Sequence, residues 1–208
     1  MDKGFKIIWC MIICCYAITL FGVESTCRKR CRLKNVDQPC PAETVCRNDS
    51  KNMPRCYTKE VVERCSSGNI PNTSTNVALN KDVTMSSQFW SDTPGSLMVD
   101  GSRRSSYPCA HTKLDTHPHA TVDLLKSFEI NAIYFVNRVD CCSERLHHLV
   151  VKIGDNISNL QTAFNHTNAV GADCTVIFDT PWQGRYVRLQ IEATEYLTEC
   201  ELEVYSLV

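Results

Sequence analysis

Six cysteines, Cys27, Cys31, Cys40, Cys46, Cys56 and Cys65, fall in one short polar stretch of a 208-residue chain. That density constrains the fold more than any other feature. A segment of ~40 residues with few large apolar side chains cannot bury enough core to fold unaided, so disulfides would have to hold it together. Their pairing cannot be read from spacing. Such bonds persist in an oxidising compartment, and the rest of the sequence agrees with one. The chain opens with MDKGFKIIWCMIICCYAITLFGVES, in which Lys3 and Lys6 precede an apolar run from Ile7 to Val23, and Val23 and Ser25 suit a cleavage site before Thr26. Residues 1–25 read as a cleaved signal peptide, because the run is shorter than the ~20 residues a spanning helix needs. No membrane span is expected once it is removed. Sequons at Asn48, Asn72, Asn156 and Asn165 have meaning only in the secretory pathway, so a secreted, extracellular glycoprotein is expected.

Setting aside Cys10, Cys14 and Cys15 leaves eleven cysteines, an odd number. The remaining ~180 residues fit one medium domain and one small one. Residues 26–65 form the cysteine-rich module, SSGNIPNTST over 66–75 reads as a linker, and a second domain spans 76–208. The formal net charge of −1 argues against nucleic acid as the partner. Charge is uneven, with ten Lys/Arg against five Asp/Glu in 26–65 and ten against sixteen in 66–208. The cluster CRKRCRLK could serve as a patch for an anionic surface, or it is the solvated face of a small cystine module.

The second domain reads as strands. RYVRLQIEA alternates Val187, Leu189 and Ile191 with Arg188 and Gln190, and CELEVYSLV sets Leu202 and Val204 opposite Glu201 and Glu203. INAIYFVN, HLVVKIG and TVIF are further short β-branched or aromatic runs bounded by turn residues. No stretch carries a long helical period, so the fold class is all-β, an antiparallel β-sandwich preceded by a small disulfide-rich module.

Within it, NRVDCCSERL places two adjacent cysteines between Arg138 and Arg145, with Asp140 beside them. Zinc would want cysteines separated by two to four residues and further ligands, whereas neighbours on a strand point to opposite faces. A disulfide between Cys141 and Cys142 suits an oxidising compartment better, and such a ring is stiff and presents a small polarizable surface. Taken with His111 in CAHT, the spacing is His, 26 residues, Arg, one residue, Asp, four residues, Arg. This signature, with NVALNKDVTMSSQF, MVDGSRRSSYPCAHT, GRYVRL and the closing CELEV, resembles the F-type lectins, fucose-binding β-jelly-roll domains. The resemblance covers residues 76–208.

The resemblance implies that His111, Arg138 and Arg145 donate to the hydroxyls and ring oxygen of α-L-fucose, and that Asp140 orients the arginines. It also implies that the Cys141–Cys142 disulfide packs on the sugar ring, and that Phe89 and Tyr107 line a pocket for its methyl group. Arginine suits this task, since its planar fork makes charge-assisted hydrogen bonds to hydroxyls. The family's structural calcium would be held by the carboxylates of Asp100 and Glu201 and by carbonyls of Leu97, Ser102 and Cys200, an oxygen set such as calcium prefers. The resemblance pairs Cys109 with Cys200. Cys174 lacks its usual partner, because Phe178 stands about where that cysteine would be; it is left free, bonded to the N-terminal module, or linking two chains.

The expected function is recognition of terminal α-L-fucose on glycans, in defence or adhesion, without turnover. A hydrolase would need two carboxylates facing across a cleft; the acids that can be placed are assigned to arginine pairing or to calcium, and no nucleophile elbow or metal-hydrolase helix appears in the sequence. The competing reading makes the basic cysteine-rich module the binding element, for a receptor or anionic surface, with the sandwich as scaffold. A single small-sugar site binds weakly, so fucosylated glycoproteins would be held through several sites, supplied by a homo-oligomer.

Overall fold

The computed structural model describes residues 44–48, 54–58, 61–63, 65–66 and 69–207. The signal peptide expected at 1–25 and Cys27, Cys31 and Cys40 lie outside the described residues. The chain divides into two units, Met1–Lys59 and Glu60–Val208. In the first, β1 (Thr44–Asn48) and β2 (Pro54–Thr58) pair antiparallel, with Cys46 opposite Cys56.

The second unit starts well before residue 76, where the sequence suggests a domain boundary. Val62 bridges Phe164, the Ser66 N–H donates to the Thr175 carbonyl at 2.6 Å, and β3 (Ser74–Asn76) already belongs to the main sheet. Cys65, grouped with the first module by local density, belongs to this unit and bonds Cys174. Of the three fates open to Cys174, the structure therefore selects a bond to that N-terminal cysteine group. Cys109 bonds Cys200, as expected, and all four of these sulfurs tie residues far apart in sequence, with separations of 109 and 91.

The main sheet has seven antiparallel strands. Its path runs β3, β13 (Glu201–Leu207), β7 (His119–Val136), β10 (Asp173–Ile191), β8 (Leu149–Gly154) and β9 (Gln161–His166), while β4 (Asp82–Met85) pairs with β7. The 18-residue β7 and the 19-residue β10 pair along their length, with register shifts between Ile177 and Trp182 and between Gly184 and Tyr186. Bulges of this kind bend strands and let one strand serve two layers. One half of β7 accordingly pairs with β13, and the other half with β4.

The predicted alternation is present. Val187, Leu189, Ile191, Leu202 and Val204 are fully buried among Ile133, Phe135, Val151, Ile153 and Phe164. Glu201 and Glu203, on the opposite face of β13, are also buried, which alternation alone does not foresee. The segment from Gly101 to Arg103 covers them: the Gly101 N–H donates to Glu201 Oε1 at 3.0 Å, and Arg103 forms a bidentate pair with Glu203. The approach of β10 to β8 is close at Gly184, where an added Cβ would lie 2.5 Å from Ile153 Cγ2 and 2.8 Å from the Gly154 nitrogen. Gly184→Ala is expected to destabilise the unit by about 2 kcal/mol through overpacking, read as a lower midpoint in chemical denaturation.

Candidate functional site

The site is assembled where β7 ends. Asn137 is buried and its side-chain amide donates to the carbonyls of Ser143 and Gly171, both at 2.8 Å, which closes the loop carrying the adjacent cysteines. The Val139 N–H donates to the Ser105 carbonyl at 2.7 Å and fixes the same loop from its other side. Cys141 and Cys142 are bonded to each other, and Cys142 takes a left-handed backbone conformation with φ 61°. A short 3-10 turn, Ser143–Arg145, follows.

These constraints aim the two arginines. Arg138 binds Asp140 through Nε at 2.7 Å and Nη2 at 3.0 Å, and its side chain is 15% exposed. The pair holds the Asp140 carboxyl below its ordinary range and raises the guanidinium further, chiefly through this hydrogen bond. Its guanidinium lies 5.4 Å from the centre of the Tyr107 ring. Arg145 lies 4.7 Å over the Tyr196 ring, with Glu195 at 3.9 Å from its Nε.

His111 stands on β5 (Ala110–His111), paired with β12 (Thr198–Glu199). The ring centres of Phe89, Tyr196 and Trp90 lie 4.9, 5.6 and 6.3 Å from its own, tilted or edge-on. Burial is the main force lowering the His111 pKa, and the charges of Arg145 and Arg138 lower it further, so both guanidiniums lie within electrostatic reach of the ring. Its Nδ1 is 2.6 Å from the Thr112 carbonyl. A carbonyl can only accept, so Nδ1 carries the proton, and in the neutral ring Nε2 is left as an acceptor. In this tautomer the neutral ring presents an acceptor at Nε2, whereas the resemblance implies a donor there.

His111, Arg138, Asp140, Arg145, Phe89 and Tyr107 thus belong to one cluster of aromatic and charged groups. Sequence reasoning missed Trp90, Asp92 and Tyr196. Trp90 is exposed beside Phe89 at 4.4 Å, and Tyr107 donates its hydroxyl to Asp92, which is the first cause raising the phenol. Trp90, Ser91, Asp92, Tyr107 and Arg138 line an open groove of about 630 Å³. The adjacency of Trp90 to Phe89 in QFW was the available signal; nothing local marks Tyr196, which reaches the site through its place after β11 (Thr194–Glu195).

The expected calcium ligands fall on two segments, Leu97–Ser102 and Cys200–Glu201, joined by the Gly101 N–H donating to Glu201 Oε1. Asp100 Oδ1 accepts from the Ser102 N–H at 2.8 Å, and Oδ2 binds Arg104 at 2.8 Å. Glu201 Oε2 is buried with no hydrogen-bond partner. Burial, followed by the charge of Asp100, pushes the Glu201 carboxyl up to about 7. A buried orphan oxygen beside a second carboxylate fits a hard cation, for which the carbonyls of Leu97, Ser102 and Cys200 would be the further donors the resemblance implies. Among the described residues, no group of three or more His, Cys, Asp or Glu side chains is placed to hold a metal, so carbonyls would have to complete any such site.

The fold is an antiparallel sandwich with a loop-borne site, and the F5/F8 type C family described as "NedA-like, galactose-binding domain" matches residues 97–189. Fucolectin-6 of Anguilla japonica is 32% identical over 142 residues, covering 64% of this chain and 76% of that protein. The F-lectin (fucolectin) from striped bass serum (Morone saxatilis) is 30% identical with a TM-score of 0.60, over 64% of this chain and 49% of that one. A fucose binding module of Streptococcus pneumoniae is 25% identical with a TM-score of 0.60, over 66% of this chain and 99% of that one. The chain belongs to the F-type lectin (fucolectin) family.

Proposed function

We propose that this protein is a secreted lectin that binds terminal α-L-fucose on glycans, without turnover, in recognition or defence. The observation that carries the reading is the pair of guanidiniums, each near a tyrosine ring and both within electrostatic reach of the buried His111, whose pKa is lowered. Arg138 spends two of its five N–H groups on Asp140, leaving three for ligand oxygens. Arg145 supplies a second fork. His111 Nε2 accepts one sugar hydroxyl, and the vicinal disulfide with Phe89, Trp90 and Tyr107 provides apolar surface for the ring and its methyl group. Names of relatives point the same way: fucolectins of eel and striped bass, and a pneumococcal fucose-binding module. Calcium, when bound, supplies positive charge that relieves the repulsion between Asp100 and Glu201 and ties the Gly101 loop to β13.

The test is a glycan array probed with the intact secreted protein, with and without a chelator and across pH. Terminal α-fucosylated glycans are expected to retain it, and the chelator to weaken retention. Binding is expected to fall as pH drops below the ordinary histidine value of about 6.5, because protonation removes the Nε2 acceptor and adds a third cation beside two guanidiniums. The sign for stability is the same. A histidine whose folded pKa is lowered takes its proton first in the unfolded chain, so stability is lost as pH falls from the unfolded value to the folded one. Retention indifferent to fucose would defeat the reading.

A further inference from the structure

We propose that a second groove, on the flank of the sandwich, seats this protein's own N-glycan, attached at Asn72. The proposal rests on the secretory reading above and concerns no residue of the fucose site. Pro71 to Ser74 form a turn closed by the Ser74 N–H donating to the Pro71 carbonyl at 2.9 Å, and Asn72 and Thr73 at its tip are exposed. The sequon Asn72-Thr73-Ser74 therefore stands on an accessible turn at the start of edge strand β3.

The groove beside it has a volume of about 430 Å³, and Asn72 is part of its wall, together with Ile70, Arg103, Tyr134, Thr175 and Tyr205. Two half-buried tyrosine rings and a guanidinium are what the apolar face and the amide of an N-acetylglucosamine require. They are held in place before any ligand arrives. Arg103 lies 4.3 Å over the Tyr134 ring, donates to Tyr205 Oη at 3.1 Å, and is clamped to Glu203 by a bidentate pair. Tyr205 donates in turn to Glu203 at 2.5 Å. Contacts between one sugar and one ring are weak, but a covalent anchor on the groove wall raises the local sugar concentration enough for them to suffice.

Asn156, exposed on the loop between β8 and β9, is the internal comparison. The full chain secreted from eukaryotic cells would be mapped for glycan occupancy by mass spectrometry. The folded protein would then be treated with an endoglycosidase that cuts between the two innermost N-acetylglucosamines. The glycan at Asn72 is expected to be released about tenfold more slowly than that at Asn156, a protection equivalent to about 1.4 kcal/mol. Tyr205→Ser is expected to equalise the two rates, and denaturation of the unaltered protein to do the same. Equal rates in the folded protein, or a bare Asn72 with Asn156 occupied, would overturn the proposal and leave the secretory reading intact. Bare asparagines at all of these sequons would overturn both.

Discussion

Arg138→Ala is expected to abolish retention on a fucosylated support while leaving the fold intact. The substitution removes the charge-assisted donors on one side of the site and leaves Asp140 without its partner. Losing a hydrogen-bonded charge in a largely buried setting costs about 2–4 kcal/mol of binding, on the order of 30- to 1,000-fold in affinity. Asp140 and the end of β7 remain pinned by Asn137 and by the Val139 to Ser105 hydrogen bond, so the circular dichroism and melting temperature should change little. Arg138→Lys should recover only a part of the loss, since an ammonium cannot hold Asp140 in two-point contact and reach the ligand at once. Retention equal to that of the unaltered protein would remove the arginine pair from the account.

Replacing both Cys65 and Cys174 with serine should have the largest effect on stability. Their bond spans 109 residues, and the chain-entropy argument gives about 5 kcal/mol for closing a loop of that order. For a unit of this size the melting temperature would fall by about 10 °C. Fucose binding at room temperature should survive, because neither cysteine touches the arginine and aromatic cluster. An unchanged melting temperature would mean that the segment from Val61 to Ser66 contributes nothing to the second unit, contrary to its hydrogen bonds with Ala163 and Thr175.

That disulfide also shows where the sequence stops being legible. Local density assigned Cys65 to the N-terminal module, and density has no bearing on which distant cysteine a chain folds against. The strands themselves were readable, because burial of Val187, Leu189 and Ile191 follows directly from a period of two. INAIYFVN reads as a strand of its own, yet all of it but Asn137 belongs to the second half of the 18-residue β7, continuous with HATVDL. Leu125, with φ 70° and an exposed side chain, interrupts the alternation in between, so the two halves do not look continuous in the sequence. The spacing of His111, Arg138, Asp140 and Arg145 located the charged part of the site. The aromatic part was only half visible: Phe89 and Tyr107 were identified, whereas Trp90 and Tyr196 depend on how the loops fold together. The role of His111 needed the structure altogether, since only the Thr112 carbonyl decides which ring nitrogen holds the proton.

The most direct test of the account is an equilibrium titration of the intact protein with methyl α-L-fucoside, run against methyl β-D-galactoside and followed by tryptophan fluorescence. Trp90 lies on the groove beside Tyr107 and Arg138, so its emission should report occupancy. The account predicts saturable binding of the fucoside, weakened by Arg138→Ala and by acidification, with little response to the galactoside. Equal response to both sugars, or none to the fucoside, would contradict it.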